Sequence, residues 1–392
     1  MNLMGNIYNY IEQNCDSDFN TEPFCEIDAL IFAWLSYFEI EKLQNAGYSC
    51  FNLTLSELVM ASQKILGKIQ EPGKLKKLVS ASTGAWMLKK VSKKSRFRKV
   101  RIADFKTVMD PVNNTQFSVT SYILDTGTEV VAFRGTDTSV AGWKEDCMTS
   151  YSLEIPSQKL ALEYLNSRQG ESNLIITGHS KGGNLAIYSA AKCTKSVLKR
   201  ISGIYNFDGP GFCFDIKETE NYSTIAGHIH SYIPGSSIVG MLLNHVQDYK
   251  VVVSSNAGIM QHYAFYWLIK DNRFVTQEGR NISSRSVDSA FQNWLKDLSF
   301  EDRKKFVEAV FSVFESAGVE HFDDMTSEGF SKMHSAFYKM RNLDPQTYEM
   351  MRSFFRTLMF ASMNEVKKTA LNFYNNALKY LKKNPLIDDK NL

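Results

Sequence analysis

The chain has 392 residues, 44% of them hydrophobic, which is enough for a large buried core carrying an appendage or a second domain. Its 45 Lys and Arg stand against 42 Asp and Glu, a net charge of +3, so the overall balance implies no nucleic-acid or acidic partner. Six cysteines, at 15, 25, 50, 147, 193 and 213, form no C-x-x-C pair and have no zinc-site spacing, so reduced packing thiols are expected.

The first residues lack a basic segment followed by an uninterrupted apolar run, so no secretory signal is expected. The most apolar early stretch, Ala29 to Phe38, lies between Asp28 and Glu39 and is about half of what a bilayer span requires. A soluble, cytoplasmic location is the expectation.

Residues 1–90 read as a helical layer against the main sheet. Asp28-Ala-Leu-Ile-Phe-Ala-Trp-Leu has helical apolar spacing, and Thr54-Leu-Ser-Glu-Leu has the form of a capped helix start. From Lys89 to Arg101, eight of thirteen residues are Lys or Arg. This stretch is a solvated face at a helix-to-strand junction or, alternatively, a peripheral contact for an anionic membrane. Strand-like alternation begins at Val100-Arg-Ile-Ala-Asp-Phe.

Phe117 to Leu124, the turn Asp125-Thr-Gly-Thr, and Glu129 to Arg134 predict a hairpin. Ser157 to Ser167 has helical spacing, Leu174 to Thr177 is a short buried strand, and Gly183 to Leu198 is again helical. Further strands are expected at Ile204 to Phe207, Ile229 to Ile233 and Val251 to Ser254. Strands alternating with helices predict a mainly parallel α/β sheet over residues 91–285, joined by right-handed crossovers. Beyond that, Phe291 to Leu298, Phe300 to Ala317, Pro345 to Met359 and Ser362 to Leu381 all look helical, a C-terminal appendage over 286–392. Met350, Met351, Phe354 and Phe355 there read as a packing stripe.

The chemistry concentrates in Gly178-His-Ser-Lys-Gly-Gly, a Gly-x-Ser-x-Gly between a strand and a helix. Such a nucleophile elbow lifts Ser180 onto a tight turn where its hydroxyl can meet a base and a substrate together, and a helix N-terminus beneath it favours negative charge. The bland alternative is a glycine-rich turn without chemistry.

A serine hydroxyl needs a base. Of seven histidines, His179 points away along the elbow as a residue of the turn, His228 and His230 flank a strand start, and His321 and His334 lie in the appendage. His245 precedes the last strand, whereas His262 follows it and fits the chain order nucleophile, acid, base.

For the acid, Asp208 ends a strand and opens Asp208-Gly-Pro-Gly-Phe, while Asp248 lies at the opposite edge and Asp215 too far into the loop. Asp208 is chosen, with simple loop capping as the alternative. Oxyanion donors are expected from the backbone N–H of Lys181 and from Thr136, in the loop after Glu129 to Phe133. The alternative for that loop is a buried pair of Arg134 with Asp146.

Val131-Ala-Phe-Arg-Gly-Thr, Gly142-Trp-Lys-Glu-Asp and Gly178-His-Ser-Lys-Gly-Gly together resemble the class 3 triacylglycerol lipase pattern. More closely, the chain is similar over about residues 5–275 to bacterial lipase-like proteins of the α/β-hydrolase superfamily known as a domain of unknown function. The resemblance implies an α/β-hydrolase fold, with Thr136 as oxyanion donor, Ser180 as nucleophile and His262 as base. One position departs: the lipase segment that carries the acid, roughly Asn-Asp-x-Val-Pro, matches Ser236-Ser237-Ile238-Val239-Gly240, with Ser237 in place of the aspartate. The acid is then Asp208, or the triad is a dyad, or catalysis is lost.

The resulting expectation is a serine ester hydrolase without metal or organic cofactor, acting on a small-molecule or lipid ester. Ile238-Val-Gly-Met-Leu-Leu would line an acyl pocket or else pack in the core. The rivals are an inactive binding or scaffold protein on the same fold, and a thioesterase or peptidase using the same residues.

Overall fold

The computed structural model describes residues 5–67, 81–137, 139–237, 239–241, 243, 248–256, 258–280, 298–316, 345 and 347–349. The N-terminal part forms helices α1 (Ile7–Asn14), α2 (Glu26–Leu35), α3 (Ile40–Asn45), α4 (Leu55–Leu66), α5 (Ala81–Val91) and α6 (Ser95–Arg98). In α4 the expected start is a full capping box: the Thr54 hydroxyl accepts from the Glu57 N–H, and Glu57 accepts from the Thr54 N–H at 2.8 Å. Every residue of α2 from Ile27 to Leu35 is buried, as expected of a helix that is apolar all round.

Next come β1 (Arg101–Asp110), β2 (Thr115–Ile123), β3 (Glu129–Phe133), α7 (Val140–Met148), α8 (Pro156–Ser167), β4 (Leu174–His179), α9 (Lys181–Lys192) and α10 (Lys195–Leu198). They are followed by β5 (Ile201–Phe207), α11 (Tyr222–Ile225), β6 (Ile229–Pro234), β7 (Tyr249–Val252), β8 (Ile269–Lys270), β9 (Arg273–Phe274), β10 (Thr276–Gln277) and α12 (Phe300–Ser316).

Eight strands form one sheet in the order β1-β2-β3-β4-β5-β6-β7-β10. The pairs from β3 through β7 are parallel, and β1, β2 and β10 add antiparallel edges. The protein is thus a mixed α/β structure with a mostly parallel central sheet flanked by helices. Parallel strands in consecutive order, joined by crossovers of one hand, place all their connecting helices on one face. Side chains of α8, α9, α10 and α11 accordingly form one core with Val131, Ile176 and Ile204. The opposite face is covered by the N-terminal helices, whose Ile27, Leu30, Phe32 and Trp34 join Val130, Ala132 and Phe207 in a second core.

Three expectations are revised. The helix expected over Gly183 to Leu198 is two helices, because Cys193 is extended; the Asn221 amide donates to the Cys193 carbonyl at 2.7 Å and Asn166 accepts the Thr194 N–H at 2.8 Å, satisfying the freed backbone. The short strands β8 to β10 have no counterpart in the apolar pattern; β8 and β9 turn on Asp271 and Asn272, both with positive φ. Finally, Lys89 to Arg101 is not a continuous solvated face. Arg96 is buried against Asp28 at 2.6 Å, and Lys94 lies within 4 Å of Glu12 and Asp16.

All six cysteines are free. Among the described residues no helix is long and apolar enough to cross a membrane. Helix α12, expected over Phe300 to Ala317, packs on α7 through Lys144–Glu315 at 2.9 Å. Residues 345 and 347–349 are helical. Of the helix expected over 291–298, residues 291–297 lie outside the described residues, as do the helix expected over 362–381 and Met350, Met351, Phe354 and Phe355.

Candidate active site

Because β3, β4, β5 and β7 are parallel, the segments leaving them emerge at one edge of the sheet. Thr136 follows β3, Ser180 follows β4, Asp208 follows β5, and His262 ends the 3-10 turn Gly258–His262 beyond β7. Ser180 sits at φ 58° and ψ −131°, a backbone conformation costing roughly 1–3 kcal/mol in a non-glycine residue. It is held by Ser180 N–H to the Phe207 carbonyl and by its own carbonyl accepting from Gly183, both at 2.9 Å. Strand and helix cross so closely here that a Cβ on Gly178 would lie 2.1 Å from the Gly182 carbonyl carbon. The flanking glycines are therefore required sterically.

Asp208 is fully buried, has φ 54°, and its N–H donates to the Tyr232 carbonyl at 2.8 Å. One of its oxygens, Oδ2, lies 2.6 Å from His262 Nδ1. The other accepts from the Ser237 hydroxyl, which in turn accepts from the Gly240 N–H at 2.9 Å. A Cβ on Gly240 would lie 2.1 Å from Asp208 Oδ1, so the carboxylate fits only against a bare backbone. Ser237, after β6, thus touches a carboxylate delivered by the neighbouring strand β5.

The segment bearing His262 is tied down by Gln261. Its side chain accepts from the Ser236 N–H and donates to the Asn256 carbonyl, each at 2.9 Å, while its carbonyl accepts from the Trp267 indole at 2.8 Å.

Lys181 contributes more than a backbone N–H. Its ammonium donates to the Gln116 carbonyl and to Glu145 at 2.8 Å, and to the Gln116 side chain at 2.9 Å. Burial alone would lower its pKa, but Glu145 and Asp146 more than offset that and hold it above the ordinary lysine value. The backbone N–H of Lys181 opens α9 and has no partner within the helix.

The Thr136 hydroxyl donates to Asp146 at 2.5 Å and is committed to that carboxyl. The alternative pairing of Arg134 with Asp146 is incorrect. Arg134 instead donates to the carbonyls of Ser36 at 2.6 Å and Phe38 at 3.1 Å and to Glu41 at 3.3 Å, because its side chain crosses to the N-terminal helices.

Asp146 Oδ1 is buried without a hydrogen-bond partner among the described residues, 3.7 Å from the Lys181 ammonium. Burial pushes its pKa up to about 6, against the opposing pull of Lys181 and Thr136. A carboxyl raised in the fold contributes stability that is present below its unfolded value and lost as pH rises through the folded one. Asp146→Asn is therefore expected to gain stability relative to the wild type between pH 4 and 6.5. Urea unfolding at both ends of that range checks it, and parallel curves would show that burial does not hold the carboxyl neutral.

His228 and His230 lie at the start of β6, away from this edge. His245, His321 and His334 lie outside the described residues, as do Ile238 and Leu242 of the apolar run. Sequence reasoning missed the roles of Gln261, Glu145 and the Lys181 side chain. Glu145 stands inside the Gly142-to-Asp146 motif, which was its one signal.

The Mbeg1-like family model matches residues 91–312, more than half of the chain. The chain therefore belongs to the Mbeg1-like family. No curated protein matches it.

Proposed function

We propose that this Mbeg1-like protein is a serine ester hydrolase on an α/β-hydrolase fold. The observation that carries the reading is the 2.6 Å contact between buried Asp208 and His262 at the sheet edge where Ser180 stands on its elbow. A carboxylate only accepts, so it fixes the His262 proton on Nδ1 and leaves Nε2 bare as a base. Nε2 takes the Ser180 proton as Oγ attacks the ester carbonyl, and the N–H groups of Lys181 and Thr136 stabilise the oxyanion. The imidazolium then protonates the leaving alcohol. Water, activated by the same histidine, releases the acid from Ser180.

The reading as an inactive scaffold drew its support from Ser237 in the lipase-acid position. Asp208 at His262, with Ser237 bonded to it, favours the hydrolase instead.

A fluorophosphonate probe should label the wild type and leave Ser180→Ala unlabelled. Failure of a well-folded wild type to react would turn the reading toward the scaffold. A panel of acyl esters beside thioesters and peptides then separates the acyl substrates; faster turnover of either of the latter would replace the ester assignment.

A further inference from the structure

His179 is fully buried yet polar, and its contacts converge on the segment that carries His262. Its Nε2 lies 2.8 Å from the His262 carbonyl. A carbonyl cannot donate, so Nε2 bears the proton. The ring is neutral, since burial and then the nearby His262 hold it well below the ordinary histidine pKa. Nδ1 is consequently an acceptor, and the Tyr37 hydroxyl donates to it at 3.3 Å.

Trp34 stacks on the His179 ring, 4.9 Å between centroids, and also packs against Tyr263 at 5.2 Å and Phe265 at 4.7 Å, the residues just after His262. The rings of His179 and His262 lie 4.7 Å apart. An apolar side chain would fill the same space without the cost of burying an imidazole. What it would lack is the donor to the His262 backbone.

We infer that His179 is a positioning residue for His262, clamping its backbone carbonyl while Asp208 orients its ring, and that Trp34 and Tyr37 seat this clamp from the N-terminal layer. The inference rests on the hydrolase reading for its purpose, although the clamp itself is a matter of geometry. Both seating residues precede the stretch that the family model matches. The N-terminal helices would thus help to set the base, beyond covering a sheet face.

The test uses the full chain with 15N-labelled histidine and reads the His262 Nδ1–H resonance, assigned by its loss in His262→Ala. In His179→Gln the amide can reproduce the Nε2 donor; in His179→Phe the ring volume remains and the donor is gone. The wild type and His179→Gln should show a protected downfield proton, and His179→Phe should broaden or lose it. Fluorophosphonate labelling should fall ~10²-fold in His179→Phe and stay within several-fold of wild type in His179→Gln.

An unchanged resonance in His179→Phe, its loss in both variants alike, or its absence from the wild type would overturn the inference. Should His179→Phe fail to fold, Tyr37→Phe removes the donor to Nδ1 together with the hydroxyl's contact to the Gly135 backbone; broadening of the His262 proton is expected there, and an unchanged signal counts against the clamp. A wild type that shows the proton and the Gln/Phe contrast but resists the probe would retain the clamp and remove the hydrolase.

Discussion

Asp208→Asn is expected to lower ester turnover by roughly 10³–10⁴-fold in a protein that still folds. Asp208 Oδ2 accepts from His262 Nδ1 at 2.6 Å, and the Ser237 hydroxyl donates to the other oxygen. An asparagine keeps one carbonyl oxygen for Ser237 but turns an amide NH₂ toward the imidazole. The ring must then accept on Nδ1 and carry its proton on Nε2, the nitrogen that has to be bare to take the Ser180 proton. The loss should appear in kcat with KM nearly unchanged, because the carboxylate is buried away from substrate. Steady-state kinetics with an activated ester, beside circular dichroism of both proteins, measure it. Turnover close to wild type would reduce Asp208 to a loop-capping residue.

Lys181→Met is expected to destabilise the fold by about 3–5 kcal/mol. The Lys181 side chain is 1% exposed and that of Glu145 is 0% exposed, with 2.8 Å between their charged atoms. Removing the ammonium leaves a buried carboxylate without its counter-charge. That carboxylate also accepts from the N–H groups of Gln116 at 3.0 Å and Ser157 at 2.8 Å, joining β2 to the start of α8, so it cannot leave without orphaning them. The double variant Lys181→Met/Glu145→Gln should recover part of the loss, since glutamine can serve one of those donors without a charge. Urea unfolding of the three proteins decides it. A cost below about 1 kcal/mol for the single variant would mean that the pair contributes like an exposed one.

Much of the architecture was legible from periodicity. Apolar spacing located α2 and α8 and the strands β2 to β7, because helices and strands bury one face at fixed repeats, and the capping signature at Thr54 located the start of α4. The break at Cys193 was hidden, since the partners that replace its helical bonds, Asn166 and Asn221, lie 27 residues before and 28 after it. The Arg134 partners were hidden for the same reason. A sequence motif places Arg134 near Asp146, while its guanidinium reaches residues 36 to 41 nearly a hundred positions earlier.

For the site, the sequence alone determined the elbow at Ser180, because Gly-x-Ser-x-Gly between strand and helix is a local steric requirement of lifting a serine on a tight turn. Strand order then narrowed Asp208 and His262 to the same edge. Whether they meet was decided only in the tertiary structure. The contact needs β5 beside β6 in parallel register, Ser237 turned onto the Asp208 carboxylate, and a bare Gly240 behind it. So too for the contacts of His179, which need Trp34 of α2 and Tyr37 of the turn after it, both more than 140 residues upstream. Local rules specify which backbone a residue can adopt. Which side chain stands behind a base depends on the packing of segments distant in the chain.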